Sequence, residues 1–149
     1  MRIKLMNIKN FIHLVSLMLI LIGGQVALGQ TTGDYRSNTT PLSWSSASGW
    51  DRWSGTAWVS NPSQGYPGSS SGAGTVTIQD TCTVTLDASP TYTIGALTVG
   101  GGASGTLIMG SNGTARTLSV TGNITVSSGA TFRTGFTSTG HTLNIGGNL

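Results

Sequence analysis

Four indoles are the residues of this 149-residue chain best suited to binding chemistry. Trp44, Trp50, Trp53 and Trp58 fall within fifteen positions, with Tyr35 and Tyr66 nearby. Flat aromatic faces carry large apolar areas and stack on sugar rings, so these four are candidates for glycan binding. The same residues can instead plug the open end of a strand stack, where bare edges invite self-association, and the sequence favours the plug. Other chemistry lacks its parts. Glycoside hydrolysis needs two carboxylates facing each other across the scissile bond. The only acids are Asp34, Asp51, Asp80 and Asp87, and Asp80 and Asp87 flank one short alternating stretch at opposite parity, as turn and cap residues do. A lyase would want a cationic base beside an acidic calcium site, whereas Arg116 and Arg133 are isolated. His141 follows Gly140 in a turn with no second ligand, which reads as a surface residue. Cys82 is the single cysteine and shares parity with Val84 and Leu86, which places it on a buried face without the cationic neighbour that activates a thiol. Phosphate loops, paired Cys/His zinc spacings and nucleophile elbows do not occur. The expectation is a chain with no catalytic activity of its own, no cofactor and no metal.

The formal charge of +3 overstates how basic the chain is. Arg2, Lys4 and Lys9 precede an apolar run from Phe11 to Ile22, and Ala27-Leu28-Gly29 supplies small residues before Gln30. This is the three-part plan of a secretory signal peptide over 1–29, with an apolar run short of the roughly 20 residues that span a bilayer. Cleavage would leave no stable membrane span and a protein that is secreted or held at the outer cell surface. The remainder sets Arg36, Arg52, Arg116 and Arg133 against the four aspartates and has no lysine or glutamate. It offers no basic patch, which argues against nucleic acid as a partner.

The elements that must position these residues are strands and turns, since Gly, Ser and Thr displace the usual helix formers. Residues 30–74 form a Trp-rich cap and loop, in which Ser54-Gly55-Thr56 joins Arg52-Trp53 to Ala57-Trp58-Val59 as a tight hairpin. Residues 75–149 are repeats. T-[V/Y]-T-[I/L] recurs at Thr75–Ile78, Thr83–Leu86 and Thr91–Ile94, apolar on one parity and threonine on the other. Thr117–Ile124 reads TLSVTGNI and Thr142–Leu149 reads TLNIGGNL, 25 positions later. Three eights approximate that period, so three strands and three turns fit one coil, with Ile94, Leu118 and Leu143 as an inward ladder and Thr93, Thr117 and Thr142 as an outward one. Thr-x-Thr pairs would then lie on three different faces and make no flat ice-binding array. The fold class expected is all-β, a right-handed parallel β-helix (solenoid) with an aromatic-rich N-terminal cap. An antiparallel β-sandwich is the alternative, because it also spaces strands every 8 to 12 residues. A repeat array ending on Asn148-Leu149 lacks a capping unit, so 75–149 is expected to be the truncated front part of a longer array.

The stretch WSSASGWDRWSGTAWV (Trp44–Val59), the Tyr66-Pro67-Gly68 loop and TVTIQDTCTVTLD (Thr75–Asp87) resemble the N-terminal region of large secreted surface proteins of gram-negative bacteria. Those are exported by the type IX system and carry a β-helical stalk. Thr75 to Val99 is similar to the start of a G8-type β-strand module, with Thr81-Cys82 where Gly-His is often found. TLSVTGNITVSSGATF resembles the repeats of haemagglutinin-like and autotransporter passengers. The resemblance implies a secreted or cell-surface structural, adhesin-like scaffold. Its alternative is an accessory carbohydrate-binding module of a longer polysaccharide-active enzyme. Surface glycans or other extracellular polymers are the partners either implies.

Overall fold

The computed structural model describes residues 29–110, 112–135 and 140–149, so the expected signal peptide lies, apart from Gly29, outside the described residues. The chain is all-β. In the N-terminal segment β1 (Tyr35–Ser37), β2 (Leu42–Ser43), β3 (Trp50–Trp53) and β4 (Trp58–Ser60) surround a 3-10 turn at Ala47–Gly49. Then come β5 (Thr75–Ile78), β6 (Thr83–Leu86), β7 (Ala96–Val99), β8 (Thr106–Met109), β9 (Thr117–Val120), β10 (Ile124–Val126), β11 (Thr131–Thr134) and β12 (Thr142–Ile145). Most are four residues long and bury every second side chain, as the alternation predicts.

These strands form three sheets. A six-stranded sheet runs β10-β7-β5-β1-β3-β4, a four-stranded one β11-β8-β6-β2, and a two-stranded one β12-β9. Successive strands from β7 to β12 go to the six-, four- and two-stranded sheet in rotation. Every pairing among β5 to β12 is parallel. Thr106↔Thr131 and Thr117↔Thr142 stand 25 residues apart. The antiparallel pattern expected of a sandwich is confined to β1–β3 and β3–β4.

Parallel register turns the alternation into columns. Tyr35, Val76, Leu97 and Ile124 stack inward across the six-stranded sheet, and Leu42, Val84, Leu107 and Phe132 across the four-stranded one. Most of these side chains are fully buried, and Cys82 is buried on its expected face. Outward columns carry threonine, namely Thr77, Thr98 and Thr125 on one sheet and Thr83, Thr106 and Thr131 on the other. At one corner Gly74, Gly95, Gly122 and Gly147 lie over one another, each amide reaching the carbonyl of the glycine before it at 2.6 to 3.0 Å. A Cβ on Gly122 would sit 2.7 Å from the Gly95 carbonyl oxygen, so the corner closes only without side chains.

The eight-residue period fails at Thr91–Ile94. Instead of a strand, only Ile94 makes a parallel bridge, and its partner is Val120 rather than Leu118. Pro90 precedes this stretch without an amide to donate, and the Tyr92 amide turns away to the Gly68 carbonyl of the preceding loop. Leu118 and Leu143 do pair in register, as do Thr117 and Thr142.

Candidate binding face

The four tryptophans separate into two pairs. The 3-10 turn between β2 and β3 folds Trp44 back beneath Trp50, ring centroids 5.1 Å apart at 67°. Both are fully buried. Their polar edges are satisfied as burial demands: Trp50 Nε1 donates to the Trp44 carbonyl at 2.9 Å, and Trp44 Nε1 to the Pro67 carbonyl at 3.0 Å. Glycan stacking is therefore corrected for Trp44 and Trp50, which offer no face to solvent and serve as core at the N-terminal end. Leu42 and Tyr66 pack in the same cluster.

Trp53 and Trp58 are half-buried. The hairpin aligns them as cross-strand partners, and they meet edge to face at 5.4 Å and 63°. Gly55 at φ 107° supplies the left-handed turn residue, and Ser54 Oγ holds both the amide and the carbonyl of Ala57. The Arg36 guanidinium lies over the Trp58 ring at 4.4 Å, a cation–π contact that fixes the indole.

Beneath the indoles a polar cluster joins three strands. Asp51, on β3, accepts from Arg36 Nε at 3.0 Å, Asn38 Nδ2 at 2.7 Å and Ser60 Oγ at 2.6 Å. Burial pushes its carboxyl up, but the hydrogen bonds from Ser60, Asn38 and Arg36, with the charge of Arg36, outweigh that and hold it below the ordinary carboxylate value. Asp34 clips the same segment to the repeats, accepting from the Thr75 amide at 2.7 Å and from Thr31.

The remaining reactive residues serve the turns. Asp80 Oδ1 takes the amides of Gly101, Ala103 and Ser104 at 2.8 to 3.3 Å, and those backbone bonds, Ser104 first, lower its carboxyl. Asp87 accepts from the amide and hydroxyl of Ser45. Both are the turn and cap residues expected from their parity. His141 differs from its expectation as an unpartnered surface residue. It is half-buried against Gly110, and its Nδ1 accepts the Arg116 amide at 3.1 Å. The period pointed to this contact, since residues 25 apart stack. Among the described residues no group of three or more His, Cys, Asp or Glu gathers for a metal, and no helix is long and apolar enough to cross a membrane.

What sequence reasoning missed is the face beside the indoles. Thr75, Thr77 and Gln79 border Trp58 across a hollow of about 240 Å³. Their alternation with buried Val76 and Ile78 was the available signal. Compared with known proteins, the chain matches no family model, no curated protein and no solved structure.

Proposed function

We propose that this chain is a secreted or cell-surface scaffold without catalytic activity, built as a right-handed parallel β-helix whose Trp-rich segment caps the N-terminal end. The observation carrying this reading is the rotation of β7 to β12 through three sheets with parallel pairing at every step. Each added repeat buries the columns of the one before, which makes a stiff rod of backbone hydrogen bonds. A neutral exterior of threonine, serine and asparagine suits such a rod to extracellular display. The likeness of Trp44–Asp87 to type IX substrates and the cationic-then-apolar start support export.

Expression of the full chain with a C-terminal epitope tag in a gram-negative host that has the type IX system tests this. The expected product begins at Gln30 and is shaved from intact cells by added protease. Retention in the cytoplasm with residues 1–29 intact would contradict it.

A second reading, a carbohydrate-binding module, is favoured by the half-exposed pair Trp53 and Trp58 on the outer side of the capping hairpin.

A further inference from the structure

Two hollows on the outer side of the six-stranded sheet share a wall. One, about 240 Å³, is lined by Trp58, Arg36, Thr75, Thr77 and Gln79. The other, about 430 Å³, is lined by Asn38, Thr77, Gln79, Asp80, Thr81 and Gly101. Thr77 and Gln79 belong to both, so the two make one groove leading from an indole to a turn of the next repeat.

The groove's polar groups divide sharply. Arg36, Asn38 and Asp51 are committed to one another, and Asp80 to three backbone amides. By contrast the hydroxyls of Thr75 and Thr77 and the side-chain amide of Gln79 bond to nothing among the described residues; the engaged groups are of the backbone, the Thr75 amide on Asp34, the Gln79 amide on Ser37 Oγ and the Gln79 carbonyl under the Cys82 amide. Three unspent donor–acceptor groups, two on β5 and one directly after it, beside an indole already pinned by a stacked guanidinium, form a preorganised polar-and-aromatic surface. Sugars present the matching chemistry, with C–H faces for the indole and hydroxyls for the side chains.

Charge narrows the class. Among the described residues that line the groove the one cationic side chain, Arg36, is paired at 3.0 Å with Asp51, and Asp34 and Asp80 each add a carboxylate. An anionic polymer would meet no unpaired cationic side chain and two like charges.

We propose that this groove binds an uncharged, extended oligosaccharide, one ring against Trp58 and the next units hydrogen-bonded by Thr75, Thr77 and Gln79. This rests on the carbohydrate-binding reading and is independent of the scaffold reading, which the export experiment tests separately.

Titration calorimetry of the full chain tests it, with cello-, manno-, xylo-, malto- and laminari-hexaoses as neutral probes and an oligogalacturonate as the anionic one. At least one neutral hexaose is expected to bind and the oligogalacturonate to give no heat. Trp58→Ala should weaken binding roughly tenfold. Gln79→Ala and Thr77→Val should each weaken it several-fold, while Thr106→Ala on the four-stranded sheet should leave it unchanged. Should Trp58→Ala lose its fold by near-UV dichroism, Gln79→Ala and Thr77→Val decide, because their side chains support nothing in the protein. Absence of binding by every neutral probe, binding that survives Gln79→Ala and Thr77→Val, or tighter binding of the anionic probe would each overturn the proposal.

Discussion

Leu118 and Leu143 hold the same place in an eight-residue motif written twice, and they pair with each other in register. Leu118 is fully buried, yet Leu143 is only half so, and Val120 and Ile145 differ in the same way. The motif is nearly constant while its burial is not. Sequence fixes which side chains face inward, and the neighbours on each side decide how much water they lose. The N-terminal end makes the complementary point. There Trp44, Trp50, Leu42 and Tyr66 cover the first columns, and the hairpin of β3 and β4 continues the sheet beyond β1. Among the described residues nothing comparable lies over β10, β11 and β12, where Phe132 is half-buried and Val126 is 40 % exposed.

Trp44→Ala attacks the covered end directly. It removes a fully buried indole and opens a cavity, so urea unfolding should lose about 3–5 kcal/mol. The comparison between repeats is sharpened by Leu118→Ala and Leu143→Ala. The first should cost about 2–4 kcal/mol and the second less than half of that, because a half-exposed leucine leaves little cavity. Equal losses would mean that burial in the two copies is the same in solution.

Acid should separate the ends. Asp51 has a lowered folded-state value, so its contribution is present above the unfolded carboxylate value, near pH 4, and is lost as pH falls through the lower folded one. No acidic residue follows Asp87. Below about pH 4, hydrogen exchange should therefore quicken in β3 and β4 before β9 and β12, and Asp51→Asn should flatten that dependence. The smallest effect concerns Thr81, a β-branched residue at φ 65° in an exposed turn. Thr81→Gly should raise stability by about 0.5–1 kcal/mol in the same urea assay, relief of left-handed strain exceeding the added freedom of the unfolded chain.

Much of this was legible in local patterns. Parity located the inward columns and the buried Cys82, Gly55 marked the hairpin, and the 25-residue offset foretold the Leu118–Leu143 pair. Contacts between distant segments were not legible. Thr91–Ile94 carries the right alternation, but the loop carbonyl of Gly68 takes the Tyr92 amide before a ladder can form. Even spacing could not show that Trp44 and Trp50 turn inward while Trp53 and Trp58 stay at the surface, because the 3-10 turn resets strand parity between Trp44 and Trp50. The face of Thr75, Thr77 and Gln79 looked like ordinary solvated strand until the hairpin set Trp58 beside it.

The central claim is that strands 25 residues apart are neighbours, and paired cysteines test it most directly. In a Cys82→Ala background, Thr106→Cys with Thr131→Cys places two outward thiols on partnered residues of β8 and β11. Thr106→Cys with Ser119→Cys places them on strands adjacent in sequence but in different sheets. A short bis-maleimide should join the first pair rapidly within one chain and leave the second unjoined. Rapid joining of the second pair and not the first would contradict the parallel stack and favour the antiparallel β-sandwich instead.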